Sequence, residues 1–197
     1  ALGLAAHGAD VVVTDIDTVA AQQTADDVSA RGRRGWSYTL DVTDADACAA
    51  LAKTVGAEIG PVAILVNNAG IIIRETIDSP RAHDNWRRVL DVNLNGVFNV
   101  THAFLPALRQ TRGSIINIGS IASFVGVADT LGYSPSKGGV KLLTQSLTRE
   151  LARDGIRVNA IAPGVIETAM TKATREDPAR LAGFVGRTPL GRVGQPD

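Results

Sequence analysis

The sequence lacks the features that mark several large classes of protein. It has a single cysteine, Cys48, in 197 residues, so no disulfide can form within the chain. A lone cysteine in an alanine-rich helical stretch is typical of a reduced, buried thiol in a cytoplasmic protein. No apolar run reaches the roughly 20 residues that a membrane-spanning helix needs, and no basic-then-apolar leader indicates secretion. We therefore expect neither a disulfide-stabilised nor a membrane protein.

The charge balance and the histidines argue against two further classes. Lys plus Arg and Asp plus Glu each number 20, so no net charge favours nucleic acid or a membrane surface as a partner. His7, His83 and His102 are scattered without the spacing of metal ligands, so we expect no metal site. The composition, 45% apolar with 20 glycines, is typical of a globular α/β chain, and the length favours a single domain over residues 1–197.

The stretch from Ser114 to Lys141 carries the clearest chemical signal. It begins with an apolar run typical of a strand buried on both faces, and Ser120 follows the end of that run. Tyr133 and Lys137 come next, four residues apart, which places both side chains on one face of a helix. An ammonium beside a phenol favours the phenolate, so such a tyrosine can act as an acid or base near neutral pH. By itself, this pair also fits an accidental arrangement on a solvated helix.

Further polar candidates lie where strand-like apolar segments end. Five such segments alternate with helical patterns, which predicts a parallel sheet with right-handed crossovers. Ligands of open α/β sheets bind at the carboxyl ends of the strands. We therefore expect one shared site for the residues at those ends, namely Asp15, Asp41, Asn67, Ser120 and Pro163.

The helical patterns leave some alternatives open. Asp15 or Asp17 could cap a helix over residues 18–31, and Thr43 with Asp46 could form a capping-box variant that opens the next helix. Residues 84–110 predict one long helix that is apolar on two sides, and a further helix follows over 134–153. One side of the long helix would pack on the sheet and the other on a partner subunit.

Five separated motifs resemble the short-chain dehydrogenase/reductase family. They are Asn67-Asn68-Ala69-Gly70, Asn93 within Val-Asn-Leu-Asn-Gly, Ser120 thirteen residues before Tyr133, Lys137, and Pro163-Gly164. Their order and spacing agree with the family over almost the whole chain. The resemblance implies a Rossmann-type, doubly wound parallel sheet in three αβα layers. It also implies hydride exchange between NAD and a secondary alcohol or ketone.

The resemblance assigns a role to each motif residue. Tyr133 would transfer the proton, Lys137 would bind the nicotinamide ribose, and Ser120 would hydrogen-bond the substrate oxygen. Asn93 would hold a relay water through its main chain. Asp15 would accept the adenosine ribose hydroxyls and select NAD over NADP. The other implied cofactor contacts are Asp41 and Val42 at the adenine, Asn67, Ala69 and Gly70 after the middle strand, and Pro163, Gly164, Ile166 and Thr168 at the nicotinamide.

The resemblance also bears on the extent of the chain. In the family, a strand and a glycine-rich turn precede the helix at residues 1–7, and a helix and a strand follow the position of residue 197. We therefore expect a domain incomplete at both ends, with a further strand between the strands at 11–15 and 62–66. The polar segment 167–189 would be a substrate lid.

The substrate and the assembly have several possible interpretations. Residues 67–74, NNAGIIIR, resemble sugar-acid members of the family such as gluconate 5-dehydrogenases and 2-deoxy-gluconate 3-dehydrogenases. Arg74 would then meet a carboxylate, unless it is a solvated surface arginine. The alternatives are a 3-oxoacyl-carrier-protein reductase, which usually prefers NADP, and a non-catalytic scaffold subunit. A homo-oligomer, either a dimer or a tetramer, would form through the helices at 84–110 and 134–153.

Overall fold

The computed structural model describes residues 1–196, in which five strands form two parallel sheets. β1 (Val11–Asp15) pairs with β2 (Gly35–Thr39). β3 (Ile64–Asn67), β4 (Ser114–Ile118) and β5 (Arg157–Ile161) form the second sheet in that order. All five strands lie where the sequence predicts them. Within residues 1–196, no strand pairing joins β1 or β2 to the sheet of β3, β4 and β5.

Helices connect successive strands, as the alternating pattern predicts. They are α1 (Leu2–Ala6), α2 (Thr18–Ser29), α3 (Ala45–Glu58), α4 (Ala82–Leu90), α5 (Gly96–Thr111), α6 (Tyr133–Leu151), α7 (Lys172–Arg175) and α8 (Pro178–Val185). The predicted helices at 18–31 and 134–153 are confirmed to within two residues at each end. Across residues 1–196, no helix combines the length and apolarity needed to cross a membrane.

The strand β2 separates two helical layers. On one face, the Ser37 hydroxyl donates to the Gln22 side chain of α2, and a side chain at Gly35 would overlap the Ala25 carbonyl of the same helix. On the other face, Tyr38 packs against the main apolar core, and its hydroxyl donates to Glu58 of α3. Helices therefore cover both faces of this sheet, which confirms the predicted αβα layering.

The main core joins the two sheets. Leu51 and Val55 of α3 pack with Phe104 and Leu108 of α5, and the same cluster contains Ile115 of β4. Leu108 and Ile115 are fully buried, and each contributes about 1.5–3 kcal/mol by leaving water. Cys48 lies in this cluster with no exposed surface, and burial raises the pKa of its thiol. The prediction of a buried cysteine is confirmed.

The structure resolves the two open questions of helix capping. Asp17 caps α2 by accepting hydrogen bonds from the backbone N–H groups of Val19 and Ala20. The expected cap of α3 at Thr43 is wrong, because Asp44 is the N-cap and accepts from Ala47 N–H at 2.9 Å. The Thr43 hydroxyl instead donates to Asp41 at 2.7 Å. The Asp44 carboxylate, one residue nearer the helix, accepts the hydrogen bond from the first turn of α3, and the Thr43 side chain points back toward the end of β2.

The predicted long helix at 84–110 is interrupted. Between α4 and α5, residues Asp91–Asn95 form a π-helical segment, in which Gly96 N–H donates to the Asp91 carbonyl five residues earlier. The segment contains Asn93, whose side chain is fully buried. Single π-helical turns are rare and occur frequently at functional sites. The interruption therefore coincides with one of the candidate site residues.

Candidate active site

A chain of buried amides and hydroxyls joins the carboxyl ends of β3 and β4. Asn67 and Asn117 face each other in the strand register, and the Asn67 side-chain nitrogen donates to the Asn117 oxygen at 2.8 Å. Asn67 also donates to Thr101 of α5, and Asn117 donates to Thr144 of α6 at 2.9 Å. The Asn67 side-chain nitrogen thus holds β3 against β4 and α5 at the edge of the sheet where the site lies.

The side chain of Asn93 holds the loop that follows β3. Its oxygen accepts from Ile71 N–H at 2.7 Å, and its nitrogen donates to the Ile71 carbonyl at 2.9 Å. The same nitrogen donates to the Ser136 hydroxyl of α6 at 3.1 Å. This double backbone contact fixes Gly70, where a side-chain carbon would come within 3.6 Å of the Lys137 amine. The structure therefore brings Gly70, Asn93 and Lys137 together.

Ser120 lies in a tight turn directly after β4. Its hydroxyl oxygen accepts from Ala122 N–H at 3.1 Å, within a short helical turn over Ile121–Ser123. Because that contact uses an oxygen lone pair, the hydroxyl proton remains available for donation to a ligand. Ser120 is buried, with 8% of its surface exposed. The residue is placed as a hydrogen-bond donor at the carboxyl edge of the sheet.

Tyr133 and Lys137 form the first turn of α6, as their spacing predicts. The Lys137 amine lies 5.9 Å from the centre of the Tyr133 ring and donates to the Ile118 carbonyl at 2.6 Å. Burial lowers the pKa of Lys137 to about 8, because the low-dielectric surroundings disfavour its charged form. The amine is still predominantly charged at neutral pH, so a cation lies in the same helical turn as Tyr133.

The turn after β5 lies beside Ser120. Gly119 N–H donates to the Ile161 carbonyl at 2.8 Å, and Ile121 N–H donates to the Pro163 carbonyl at 3.0 Å. Pro163 and Gly164 are therefore neighbours of the Ser120 turn. Further along, Ile166 forms an isolated parallel bridge with Gly194, and Thr168 caps the short helical turn at Ala169–Thr171.

The residues assigned to the adenosine half lie at the ends of β1 and β2. Asp15 is exposed and accepts from Asp17 N–H at 3.0 Å. The Thr43 backbone N–H and hydroxyl both donate to Asp41 and lower the pKa of its carboxyl. The Val42 carbonyl accepts from the Asn99 amide of α5 at 3.0 Å. The Val42–Asn99 contact joins the segment after β2 to α5, the helix that also carries Thr101.

Two arginines join the predicted lid to the loops around the site. Arg74 is half-buried, and its guanidinium donates to the buried Thr174 of α7. Arg180 of α8 lies 3.3 Å from a carboxylate oxygen of Asp129, in the loop that precedes α6. The segment 167–189 thus contains short helices tied at two points. Arg74 is not the fully solvated surface residue that one interpretation of the sequence described.

Some residues that organise the site carry no motif signal. Thr101, Thr144 and Ser136 complete the contacts of Asn67, Asn117 and Asn93. Serines and threonines in helices are usually neutral or mildly unfavourable for helix formation. A cluster of them on helices flanking the candidate motifs is the only sequence signal that could have indicated these positions.

Comparisons with known proteins show the family of the chain. A family model described as short chain dehydrogenase matches residues 1–179. The chain belongs to the short-chain dehydrogenase family. Accordingly, it is an NAD(P)-dependent dehydrogenase that acts on CH–OH groups, and it has the parallel α/β, Rossmann-like fold of that family.

The chain matches individual members of the short-chain dehydrogenase family over most of their length. The chain is 43% identical over 202 residues to 2-dehydro-3-deoxy-D-gluconate 5-dehydrogenase of Bacillus subtilis, covering all of this chain and 77% of that one. It is 38% identical over 192 residues to the 3-oxoacyl-(acyl-carrier-protein) reductase of Escherichia coli. This match covers 97% of the chain and 76% of the reductase. The structure also matches that of a gluconate 5-dehydrogenase from Burkholderia cenocepacia in complex with NADP and tartrate. The TM-score is 0.90 and the sequence identity is 34%, and the match covers 99% of this chain and 79% of that one.

The residues present fit a nicotinamide dinucleotide. At Gly70, an added side-chain carbon would lie 3.4 Å from the Asn93 side-chain oxygen and 3.6 Å from the Lys137 amine, so the backbone of the loop passes close to that cation. At the other end of the edge, the exposed Asp15 carboxylate can accept hydrogen bonds from a second ribose. By contrast, within residues 1–196 no three His, Cys, Asp or Glu side chains are grouped so as to hold a metal.

The burial of Lys137 predicts a pH-dependent stability. Below pH 8 the amine is charged in the folded and the unfolded chain, and burial of the charge destabilises the fold. Between about pH 8 and 10.5 the folded state has lost the proton that the unfolded state still binds, so stability rises with pH. Lys137→Met keeps the length of the side chain and removes the charge. In the absence of cofactor, we expect this variant to be more stable at pH 7, by up to ~3 kcal/mol at ~1.4 kcal/mol per pKa unit.

Urea unfolding of both proteins at pH 7 and pH 10 measures this effect. The stability advantage of Lys137→Met should shrink as the pH rises, because only the parent protein has the titrating amine. A difference that stays constant over this range would show that Lys137 is not buried as a cation.

Proposed function

We propose that the protein oxidises or reduces the CH–OH group of a sugar acid, with the reaction carried by Ser120, Tyr133 and Lys137. The observation that supports this most is the meeting of the Ser120 turn and the first turn of α6 at the carboxyl edge of β4. The similarity to 2-dehydro-3-deoxy-D-gluconate 5-dehydrogenase and gluconate 5-dehydrogenase supports the substrate class.

The proposed mechanism assigns separate tasks to the three side chains. Ser120 donates a hydrogen bond to the substrate oxygen and stabilises the charge that develops there. Tyr133 takes the proton from that oxygen during oxidation and returns it during reduction. Lys137 favours the Tyr133 phenolate and binds the nicotinamide ribose. The bound cofactor supplies or accepts the hydride.

Asn93 would complete the proton path through its main chain. Its side chain is occupied by Ile71 and Ser136 and so cannot serve as the relay group. The π-helical segment around Asn93 departs from the α-helical hydrogen-bond pattern, which supports a role for its backbone in holding a water. Asn93 therefore combines a structural side chain with a proposed functional main chain.

Arg74 would bind the carboxylate of the substrate. Its guanidinium contacts a neutral partner, the hydroxyl of Thr174, and an anion is a stronger acceptor for the same donors. The contact also joins Arg74 to the lid segment, so carboxylate binding and lid position are coupled at this residue. The second candidate function is reduction of a 3-oxoacyl thioester, which is favoured by the 38% identity to the 3-oxoacyl-(acyl-carrier-protein) reductase.

Two variants of the full-length protein test chemistry and recognition separately. Tyr133→Phe removes the proposed proton-transfer group and keeps the ring, so kcat should fall by ~10²-fold or more on every substrate. Arg74→Met should raise the KM for a sugar acid by about tenfold or more, through loss of a charged hydrogen bond, and leave a neutral polyol of equal length unaffected. Turnover is followed by the absorbance of the reduced cofactor.

The panel for this experiment contains sugar acids, matched polyols and a 3-oxoacyl thioester. Turnover by Tyr133→Phe within a few-fold of the parent would refute the catalytic assignment. If the thioester is the best substrate and the sugar acids are inert, the second candidate function replaces the first.

We also propose that the cofactor is NAD rather than NADP. Asp15 is free to bind the ribose hydroxyls because Asp17, not Asp15, caps α2. A carboxylate there repels the 2′-phosphate of NADP. The Burkholderia cenocepacia relative is a complex with NADP, so the preference of this chain needs a direct measurement.

Asp15→Ala should reduce the ratio of kcat/KM for NAD to that for NADP, because it removes both the acceptor and the repulsion. Asp17→Ala is the matched control. It should lower stability by about 1 kcal/mol through loss of the helix cap and leave the cofactor ratio unchanged. A parent protein that favours NADP contradicts the proposal.

The exposed apolar residues of α5 and α6 support a homo-oligomer, either a dimer or a tetramer. Phe98 of α5 is 54% exposed and stacks on His102, and Leu142 of α6 is 60% exposed. Apolar side chains of this size on neighbouring helices are typical of a symmetric interface.

Light scattering of the full-length protein at micromolar concentration should therefore give a mass above that of the monomer. Phe98→Glu combined with Leu142→Glu should lower that mass, because each charge would be buried twice at a twofold interface. A parent protein that is monomeric under these conditions contradicts this assembly.

A further inference from the structure

Ser123 occupies an unusual place between the proposed catalytic groups. It is the last residue of the short helical turn Ile121–Ser123 that follows Ser120, and only 8% of its surface is exposed. No motif singles it out, and its hydroxyl is too deeply placed for solvent to replace its partners freely. Its contacts therefore depend on the protein alone.

The hydroxyl of Ser123 joins two segments that are far apart in the sequence. It accepts a hydrogen bond from Ser120 N–H at 3.2 Å and donates one to the Lys137 carbonyl at 2.8 Å. Ser120 N–H belongs to the residue that would bind the substrate oxygen. The Lys137 carbonyl belongs to the helical turn that also carries Tyr133. One hydroxyl thus bridges the backbones of both halves of the proposed active site.

A second hydrogen bond between these halves is made by a side chain that has another task. The Lys137 amine donates to the Ile118 carbonyl at 2.6 Å, but the same amine must also serve the cofactor ribose in the proposed mechanism. The Ser123 bridge uses only backbone groups of Ser120 and Lys137. It can therefore hold the two turns together without occupying a reacting side chain.

We propose that Ser123 is a positioning residue, which sets the separation between the Ser120 hydroxyl and the Tyr133–Lys137 turn during hydride transfer. The proposal rests on the function proposed above for Ser120, Tyr133 and Lys137. Removal of the hydroxyl leaves Ser120 N–H without this acceptor and lets the Ser120 turn move relative to α6. Small misplacements of reacting groups lower the rate of chemistry more than they lower binding.

Ser123→Ala in the full-length protein tests this inference. We expect kcat to fall about tenfold, with the KM for the cofactor changed by less than about twofold, because the cofactor contacts are retained. The primary isotope effect on kcat, measured with substrate deuterated at the carbinol carbon, should increase, since hydride transfer becomes more strongly rate-limiting. A purely structural role would lower stability without changing this isotope effect.

Thr148→Val is the matched control. The Thr148 hydroxyl also links α6 to neighbouring backbone, donating to the Thr144 and Val158 carbonyls at 2.8 and 2.9 Å. It lies eleven residues beyond Lys137, away from the proposed catalytic groups. This variant should lose stability and keep the kcat and isotope effect of the parent.

The outcomes separate this inference from the function on which it rests. If Tyr133→Phe is inactive but Ser123→Ala matches Thr148→Val in kcat and isotope effect, the positioning role is refuted and the catalytic assignment stands. If Tyr133→Phe retains activity, the catalytic assignment itself fails. Should Ser123→Ala not fold, Ser123→Cys provides a weaker donor on a slightly larger side chain and is judged by the same measurements.

Discussion

The hydrogen bond between the side chains of Asn67 and Asn117 is the contact on which the rest of the site depends. The two residues face each other at the ends of β3 and β4, and both are buried. An amide left without a partner in such a place would cost about 1–3 kcal/mol. A shift of one residue in the register would turn these amides to the opposite face of the sheet. The pair therefore selects one alignment of the strands and, through Thr101 and Thr144, one position for α5 and α6.

Those two helices position the proposed catalytic groups. The α6 helix starts at Tyr133, so its first turn carries Tyr133 and Lys137 directly over the end of β4, where the Ile118 carbonyl receives the lysine amine. The π-helical segment before α5 directs Asn93 toward the loop after β3. The fold tolerates burial of the Lys137 amine because burial disfavours the charged form without abolishing it at neutral pH. It lowers the pKa of that group to about 8 and leaves a charged donor beside the tyrosine.

The strands, the motif residues and the identity of the family are predictable from the sequence, because each leaves a local pattern. Short strand-like segments that alternate with helical patterns mark the five strands, and the four-residue spacing of Tyr133 and Lys137 correctly predicts a shared helical turn. The cap of α3 was not predictable in the same way. Thr43 and Asp44 are both good capping residues, and Thr43 is drawn away by its contact with Asp41. The π-helical interruption also leaves no periodic signal, since it accompanies contacts between Asn93 and Ile71, 22 residues earlier.

By itself, the sequence determined which polar groups are available at the candidate site and the order in which they follow the strands. Only the tertiary structure decided how those groups are held. The contacts of Asn93 with Ser136, of Arg74 with Thr174 and of Ser123 with Lys137 join segments 14 to 100 residues apart. A hydroxyl or an amide can bond to many partners, and its own sequence neighbourhood does not choose among them. The choice is made when parallel pairing brings the carboxyl ends of the strands together and burial removes water as the competing partner.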